Sequence, residues 1–416
     1  MWRTPRGCAK LSRVKNTAEP KTQGISVVLV IVALDFVGIG LTLPIIPRLL
    51  GEVAHTSDLG WRFGAFLSLY ALMQFIFSPI LGIWSDRVGR RPVLLCSLAG
   101  AAVDYVFMAV APSLALLFVG RAIAGITGAS QAVASAYIAD VTSEGDRARR
   151  FGQLNAVQGL GFIAGPVIGG LLGTLWIRAP FMAAAALNGV TFLVTLFVLR
   201  EPRRHAHTDG EAAFLNPLKT FQWALSVPAL LPLLIVFVVF TLVGQVGGTI
   251  WIIYGSDRYG WTPLMVGVSI GFFGLLHAIA QAFVAGPMTE RWGERFALIV
   301  GVATDSVASV LIAFATRGWM AFALMPLFGL GAVGLPALQS LLSGKVDPRK
   351  QGRLQGVLAS LTSLASIVGP LAVSSLYFAY RTSFPGLVWI AGAALYVISV
   401  PVLIGLPAKT RVLKSA

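Results

Sequence analysis

Twelve stretches of this 416-residue chain run apolar for about twenty residues each, starting near residues 25, 62, 92, 113, 151, 180, 227, 262, 296, 319, 352 and 384. A helix of about twenty residues rises about 30 Å, enough to cross a bilayer, and it satisfies its own backbone hydrogen bonds. With 56% hydrophobic and only 12% charged residues, the chain has too little polar surface to cover a soluble globule. The expected fold is all-α and integral to a membrane. An even number of crossings puts both chain ends on one side.

A formal net charge of +15 would suggest nucleic acid in a soluble protein. In a membrane protein the placement of the cations matters more. Arg48, Arg62, Arg178, Arg258, Arg317 and Arg381 fall in loops on one side, Arg121 falls inside a span, and the rest of the 32 Lys and Arg residues share the side of the termini. That side is expected to be the cytoplasm, with no nucleic-acid partner implied. The basic stretch from Arg3 to Lys21 is also compatible with anionic lipid. It has no apolar core of a cleavable signal, so the first apolar run is expected to stay as an anchor. Cys8 and Cys96 fall in the tail and in a span, which leaves no disulfide framework and no metal cluster.

The expected organisation is a basic tail over 1–24, a six-helix bundle over 25–199, a polar connector over 200–226, a second six-helix bundle over 227–406 and a tail over 407–416. The halves are related in sequence. GIWSDRVGRRP, from Gly82 to Pro92, returns 204 residues later as GPMTERWGER, from Gly286 to Arg295. The same offset relates Arg149 to Arg353, Gly152 to Gly356, and Gly165-Pro166 to Gly369-Pro370. Two parallel six-helix repeats are a transporter architecture. Gly-rich segments such as GRAIAGITGAS, GLGFIAGPVIGG and GLGAVGLP allow close helix approach. Static packing and a moving interface explain them equally well.

Few ionisable groups fall within the spans: Asp35, Asp104, Arg121, Asp305 and the titratable His277. A charge at mid-membrane costs about 2.5–3.5 kcal/mol on insertion scales, so each is expected to face a watery cavity or a partner. Asp35 and Arg121 read either as a coupled functional pair or as a static ion pair. Asp104 and Asp305 sit on corresponding third helices with no further buried cation to neutralise both. A carboxylic acid in such a setting can load and release a proton near neutrality. Asp305 is the first candidate proton carrier, with Asp35 and Asp104 behind it. His277 could switch with pH or serve only as a hydrogen-bond partner. Gln74 and Gln281 could face a polar ligand or tie helices together. Trp251 and Trp389 read as interface belt or helix packing rather than a substrate cage.

In the loop GIWSDRVGRRP, Gly82 and Gly89 allow a tight reversal, while Asp86 stands beside Arg87, Arg90 and Arg91. The loop lacks the strand-to-helix context and Lys-Ser/Thr ending of a nucleotide cradle. A latch that breaks and reforms as the halves rock, or a plain positive-inside anchor, fits these charges equally well.

This loop resembles the signature of the major facilitator superfamily, and GPVIGG, with Gly165, Pro166, Gly169 and Gly170, resembles its antiporter motif. LDFVGIGLTLPIIP, LYALMQFIFSPILG, GRAIAGITGA, GLLHAIAQAFVAG and GWMAFALMPLFGLGAVGLPALQ resemble the twelve-helix tetracycline/proton antiporters of bacteria, over residues 25 to 405. The resemblance implies two pseudo-symmetric six-helix bundles in the bacterial inner membrane with both termini cytoplasmic. It also implies exchange of inward protons for an outward tetracycline-class molecule, carried as a complex with a divalent cation such as magnesium, by alternating access. It implies no resident cofactor, no catalysis and no required oligomer; protons, drug and lipid bilayer are the partners. By motif, Asp305, Asp35, Asp104 and His277 would take part in proton coupling. Gln74, Gln281, Arg121, Asp104, His277 and Asp35 would contact substrate. Gly82, Ser85, Asp86, Arg87 and Arg90 would form the cytoplasmic gate, with Asp140 as latch partner.

The chain departs from the family at Gln131, where Gly is usual, at Gly247, where Pro is usual, and in its longer basic tail. A multidrug/proton antiporter of the same superfamily is the nearest alternative, and it would need a more aromatic, less polar pocket. A membrane enzyme is disfavoured, since His205 and His207 sit in the connector and no His-Glu-x-x-His is present. A channel would call for rings of identical groups.

Overall fold

The computed structural model describes residues 19–201, 222–347 and 350–405. Nearly all of the basic tail with Cys8, most of the connector with His205 and His207, and the chain after Gly405 lie outside the described residues. Within them every regular element is helical. Among the described residues twelve helices are long and apolar enough to cross a bilayer: α1 (Gly24–Ala54), α2 (Trp61–Val88), α3 (Arg90–Val110), α4 (Leu114–Val141), α5 (Arg149–Leu175), α6 (Ala179–Val198), α7 (Leu231–Tyr259), α8 (Pro263–Trp292), α9 (Glu294–Phe314), α10 (Gly318–Ser343), α11 (Gln351–Tyr380) and α12 (Leu387–Gly405). Two starts differ from expectation by more than two residues. α7 begins at Leu231 rather than 227 because Pro232 is fixed at its first turn. α12 begins at Leu387 rather than 384 because Phe384 still closes the turn after α11, donating its N–H to Tyr380 O.

The sequence repeat is a structural repeat. Gly89 and Gly293 carry φ of +117° and +86°, and each donates its N–H back to the preceding helix, at Ser85 O and Thr289 O. This left-handed turn ends one span and starts the next with a single residue between them. In the first half α1 packs on α5 and α6, and α3 on α4 and α6; in the second, α7 packs on α11 and α12, and α9 on α10 and α12. The halves meet through α2 against α11 and α5 against α8.

These two seams are closed at one end only. At the end carrying the α1–α2 loop, one apolar core runs through both halves and joins Ile45, Phe63 and Phe181 to Tyr254, Trp261 and Trp389. At the opposite end each half keeps its own core, around Leu94 and Ile138 in one and Leu298 and Leu342 in the other. Hydrogen bonds cross the seam at the closed end: Ser68 Oγ donates to Ile367 O at 2.6 Å, and Ser374 Oγ to Gly60 O at 2.6 Å. Arg381 adds a third at 2.8 Å to Ser57 O.

The Gly165–Gly170 motif lies in this closed region, wedged between α1 and α8. A side chain on Gly169 would lie 2.0 Å from Leu41 O, and one on Gly170 would lie 2.4 Å from Pro263 O. Facing them, a Cβ on Gly267 of α8 would lie 2.0 Å from Pro166 O. Backbone cannot yield as a flexible side chain can. A Gly267→Leu variant is therefore expected to insert normally yet lose at least about tenfold in transport, about 1.4 kcal/mol against the closed seam. Uptake per inserted protein checks it, with wild-type uptake as the contrary result.

Candidate functional site

A cavity of about 650 Å3 lies within the second half, between α7, α8, α9, α10, α11 and α12, with Leu43 and Phe162 reaching in from the first half. His277, Gln281 and Asp305 are on its wall. Asp305, from α9, accepts a 2.7 Å hydrogen bond at Oδ2 from Tyr396 Oη of α12. Tyr396 is held in turn edge-on against Phe240 of α7. No Lys or Arg among the described residues pairs with Asp305. Its room depends on Gly331, whose Cβ would come within 2.8 Å of the Asp305 Cβ.

The other expected site residues are not on this wall. Asp35, Gln74, Asp104 and Arg121 lie in the first half, where Asp35 and Asp104 are buried. Arg121 Nη1 lies 3.5 Å from Asp104 Oδ2, and its guanidinium rests on the rings of Phe66 and Tyr70 at 5.0 and 5.7 Å. The buried cation therefore belongs to Asp104, not to Asp35. Asp35 Oδ2 instead accepts from Ser130 Oγ at 2.6 Å. The repeat offset explains the asymmetry between the halves. It carries Arg121 onto Met325, so the second half has no such cation, and it carries Asp104 onto Ala308, one turn from Asp305.

Both halves break a helix beside their acids. α4 is interrupted at Gly128–Ala129 and α10 at Ala332–Val333, positions that correspond under the repeat. An interruption leaves carbonyls without helical partners, and burial demands that they find others. Gln74 Nε2 donates to Gly128 O at 3.0 Å, and Gln281 Nε2 to Ala332 O at 2.9 Å. Gln281 itself sits on a π-helical stretch of α8, Ala280–Ala285. The two glutamines thus tie helices together, and Gln281 also lines the cavity.

The cavity wall is more aromatic than expected. Trp251 and Trp389 meet edge to face at 5.9 Å on the wall, with Phe273 and Phe328 beside them; of the two expected roles they serve helix packing, not an interface belt, and they line the cavity as well. Gly247 also lines the cavity, where a Cβ would lie 3.8 Å from the Trp389 ring, and Gln131 is exposed next to Ser130. Further polar wall residues that sequence reasoning missed are Thr241, Gln245, Ser309, Gln339 and Thr362.

At the open end, Arg90 gathers the residues expected to form a gate. Its Nη1 lies 2.5 Å from Asp86 Oδ1 and donates to Ser85 Oγ at 2.7 Å, and its Nε lies 2.8 Å from Asp140 Oδ2. Gly82, expected in the reversal, instead lies inside α2, where a Cβ would meet open space, and Gly89 alone makes the turn. Glu201 is the residue that sequence reasoning overlooked here: its carboxylate accepts the N–H groups of Arg90 and Arg91, at 2.6 and 2.9 Å. It caps the start of α3 from the end of α6, where a negative charge is favoured. The signal was an acid opening the connector. At the closed end Arg381 grips Asp257 through both carboxylate oxygens, at 2.6 and 2.5 Å, while Tyr377 donates to the same group at 2.7 Å. The hydrogen bond to Asp257 holds the Arg381 guanidinium even more firmly protonated. The Tyr377–Arg381 spacing of one helical turn was the available signal.

The chain is similar to known proteins in sequence and fold. The family model described as Major Facilitator Superfamily matches residues 27–281 and 242–416. The chain is 51% identical to "Tetracycline resistance protein, class C" of Escherichia coli, covering 91% of this chain and 95% of that one. It is 49% identical to the class G protein of Vibrio anguillarum, covering 91% and 96%. "Multidrug resistance protein 2" of Bacillus subtilis is 27% identical, covering 86% and 91%. Among solved structures, the nucleoside transporter NupG superposes with a TM-score of 0.75 at 14% identity, over 92% of this chain and 99% of that one. The chain belongs to the Major Facilitator Superfamily and, within it, to the family of tetracycline resistance proteins.

Proposed function

We propose that the chain exports tetracycline, as a complex with a divalent cation such as magnesium, from the bacterial cytoplasm across the inner membrane in exchange for inward protons. The observation that carries this reading is Asp305, a carboxyl on the cavity wall held by one tyrosine and by no cation among the described residues. Ionised, it attracts a cationic drug complex; protonated, it does not. One group that cannot hold both partners at once is the minimum needed for exchange. Asp104, already beside Arg121, is less free to play that part.

In this reading the end carrying the α2–α3 loop and its arginines faces the cytoplasm, which makes the open end the inward one. Release outside requires the α2–α11 and α5–α8 seams to part and the cytoplasmic ends to close around the Arg90 cluster. Exchange of one proton for one monovalent complex moves no net charge, so the pH gradient alone drives it, at about 1.4 kcal/mol per unit. The chain works as a transporter without catalysis, and a single copy contains the whole pathway.

The aromatic wall around Trp251 and Trp389 favours a second reading, a broader range of amphipathic cations. Everted vesicles with an imposed proton gradient separate the two. Labelled tetracycline uptake is expected to need magnesium and to stop on chelation, while unrelated cationic dyes are left outside. Uptake that ignores chelation would remove the metal complex as cargo, and equal uptake of the dyes would favour the second reading.

A further inference from the structure

On the outer side of the second half, away from the cargo cavity, α9 and α12 border a groove of about 620 Å3. Its walls are apolar, with Ile299, Val397 and Ile404 exposed to the surroundings. The charged group lining it is Arg295, at the cytoplasmic end. Arg295 Nη2 donates to Ile404 O at 3.1 Å, and Nε is buried with no partner.

Arg295 is the last residue of the worn repeat motif, and its counterpart Arg91 likewise keeps a buried Nε with no partner; what differs between the halves is the acid at the helix start. Arg91 donates in the same way to Leu196 O, but there the Glu201 carboxylate stands beside it on the N–H groups of Arg90 and Arg91. Among the described residues no carboxylate takes that place in the second half. Glu294 already supplies the acid that the first turn of α9 favours, so an incoming anion would be held by the guanidinium rather than by the helix end.

We propose that this groove is a binding site for an anionic glycerophospholipid, with its phosphate on Arg295 and an acyl chain along α9 and α12. A guanidinium matches a phosphate in charge and geometry, and an apolar slot open to the bilayer matches a hydrocarbon chain. The site has a functional address as well. Tyr396 lines both this groove and the cargo cavity, and its hydroxyl is the one that holds Asp305. The lipid chain therefore backs the tyrosine that positions the proton carrier; this last link rests on the function proposed above, while the site itself does not.

Native mass spectrometry of the full chain, offered phosphatidylglycerol and phosphatidylcholine with equal acyl chains, tests the site without any transport reading. The wild type is expected to retain phosphatidylglycerol preferentially. Arg295→Gln should lower that preference about fivefold, the value of one basic side chain at an anionic surface. Ala394→Trp, which fills the exposed groove, should reduce retention of both lipids, while Arg317→Gln, which removes a charge at the opposite end, should change nothing. An unchanged preference in Arg295→Gln overturns the proposal. So does a preference lost only when the basic residues from Arg3 to Lys21 are neutralised, which would move the lipid to the tail.

Discussion

Asp305→Asn is expected to abolish proton-driven accumulation of drug in everted vesicles while the protein inserts at its normal level. Asparagine keeps the size of the side chain and can still accept from Tyr396, so the local packing has little reason to change. What it loses is the ability to exist in two charge states. An inward gradient of two pH units is worth about 2.7 kcal/mol, about a hundredfold in concentration, and the variant should forfeit all of it. Downhill equilibration of drug without accumulation would locate the defect in coupling. Accumulation at the wild-type level would remove Asp305 from the proton path.

Arg90→Gln should give the second large loss, at least about tenfold in transport per inserted protein, about 1.4 kcal/mol in the rate-limiting barrier. The side chain bridges the end of α2, through Ser85 and Asp86, to the end of α4, through Asp140. Asp86 and Asp140 are 60% and 28% exposed, so water can take over their solvation and the fold should survive. The fixed relation of three helix ends would not. The second half cannot substitute, because the repeat places Glu294 at the position of Arg90 and Gly344 at the position of Asp140. Lysine should rescue poorly, since a point charge cannot span both acids with the planar fork. Uptake in Arg90→Gln equal to the wild type would reduce the cluster to a topological anchor.

The spans were legible because hydrophobic length alone fixes them, and their starts were misplaced only where Pro232 or the turn at Phe384 resets the helix. Pairings inside the membrane were harder to read, since they depend on depth. Asp104 and Arg121 both lie about two helical turns from the α3–α4 loop, and Asp305 and Tyr396 are likewise level with one another in α9 and α12. Measuring from the loop would have joined Arg121 to Asp104 rather than to Asp35, and would have found Tyr396. The helix breaks were hidden for another reason: GRAIAGITGAS and GLGAVGLP read equally as close packing, and only coordinates show which carbonyl loses its partner. Glu201 and Arg381 were missed because each acts on a segment far away in sequence, where local pattern carries no information.

The two glutamine ties carry a mechanical implication. Gln74 belongs to α2 and Gln281 to α8, and these are helices that straddle the boundary between the halves. Each reaches into its own half and holds the loose point of a neighbouring helix, next to Ser130 with Asp35 in one case and Gly331 with Asp305 in the other. A tilt of either boundary helix therefore pulls, like a lever on a jointed rod, at the spot where an acid is seated. Displacement between the halves and the surroundings of the carboxyl groups are geared together by two amide side chains.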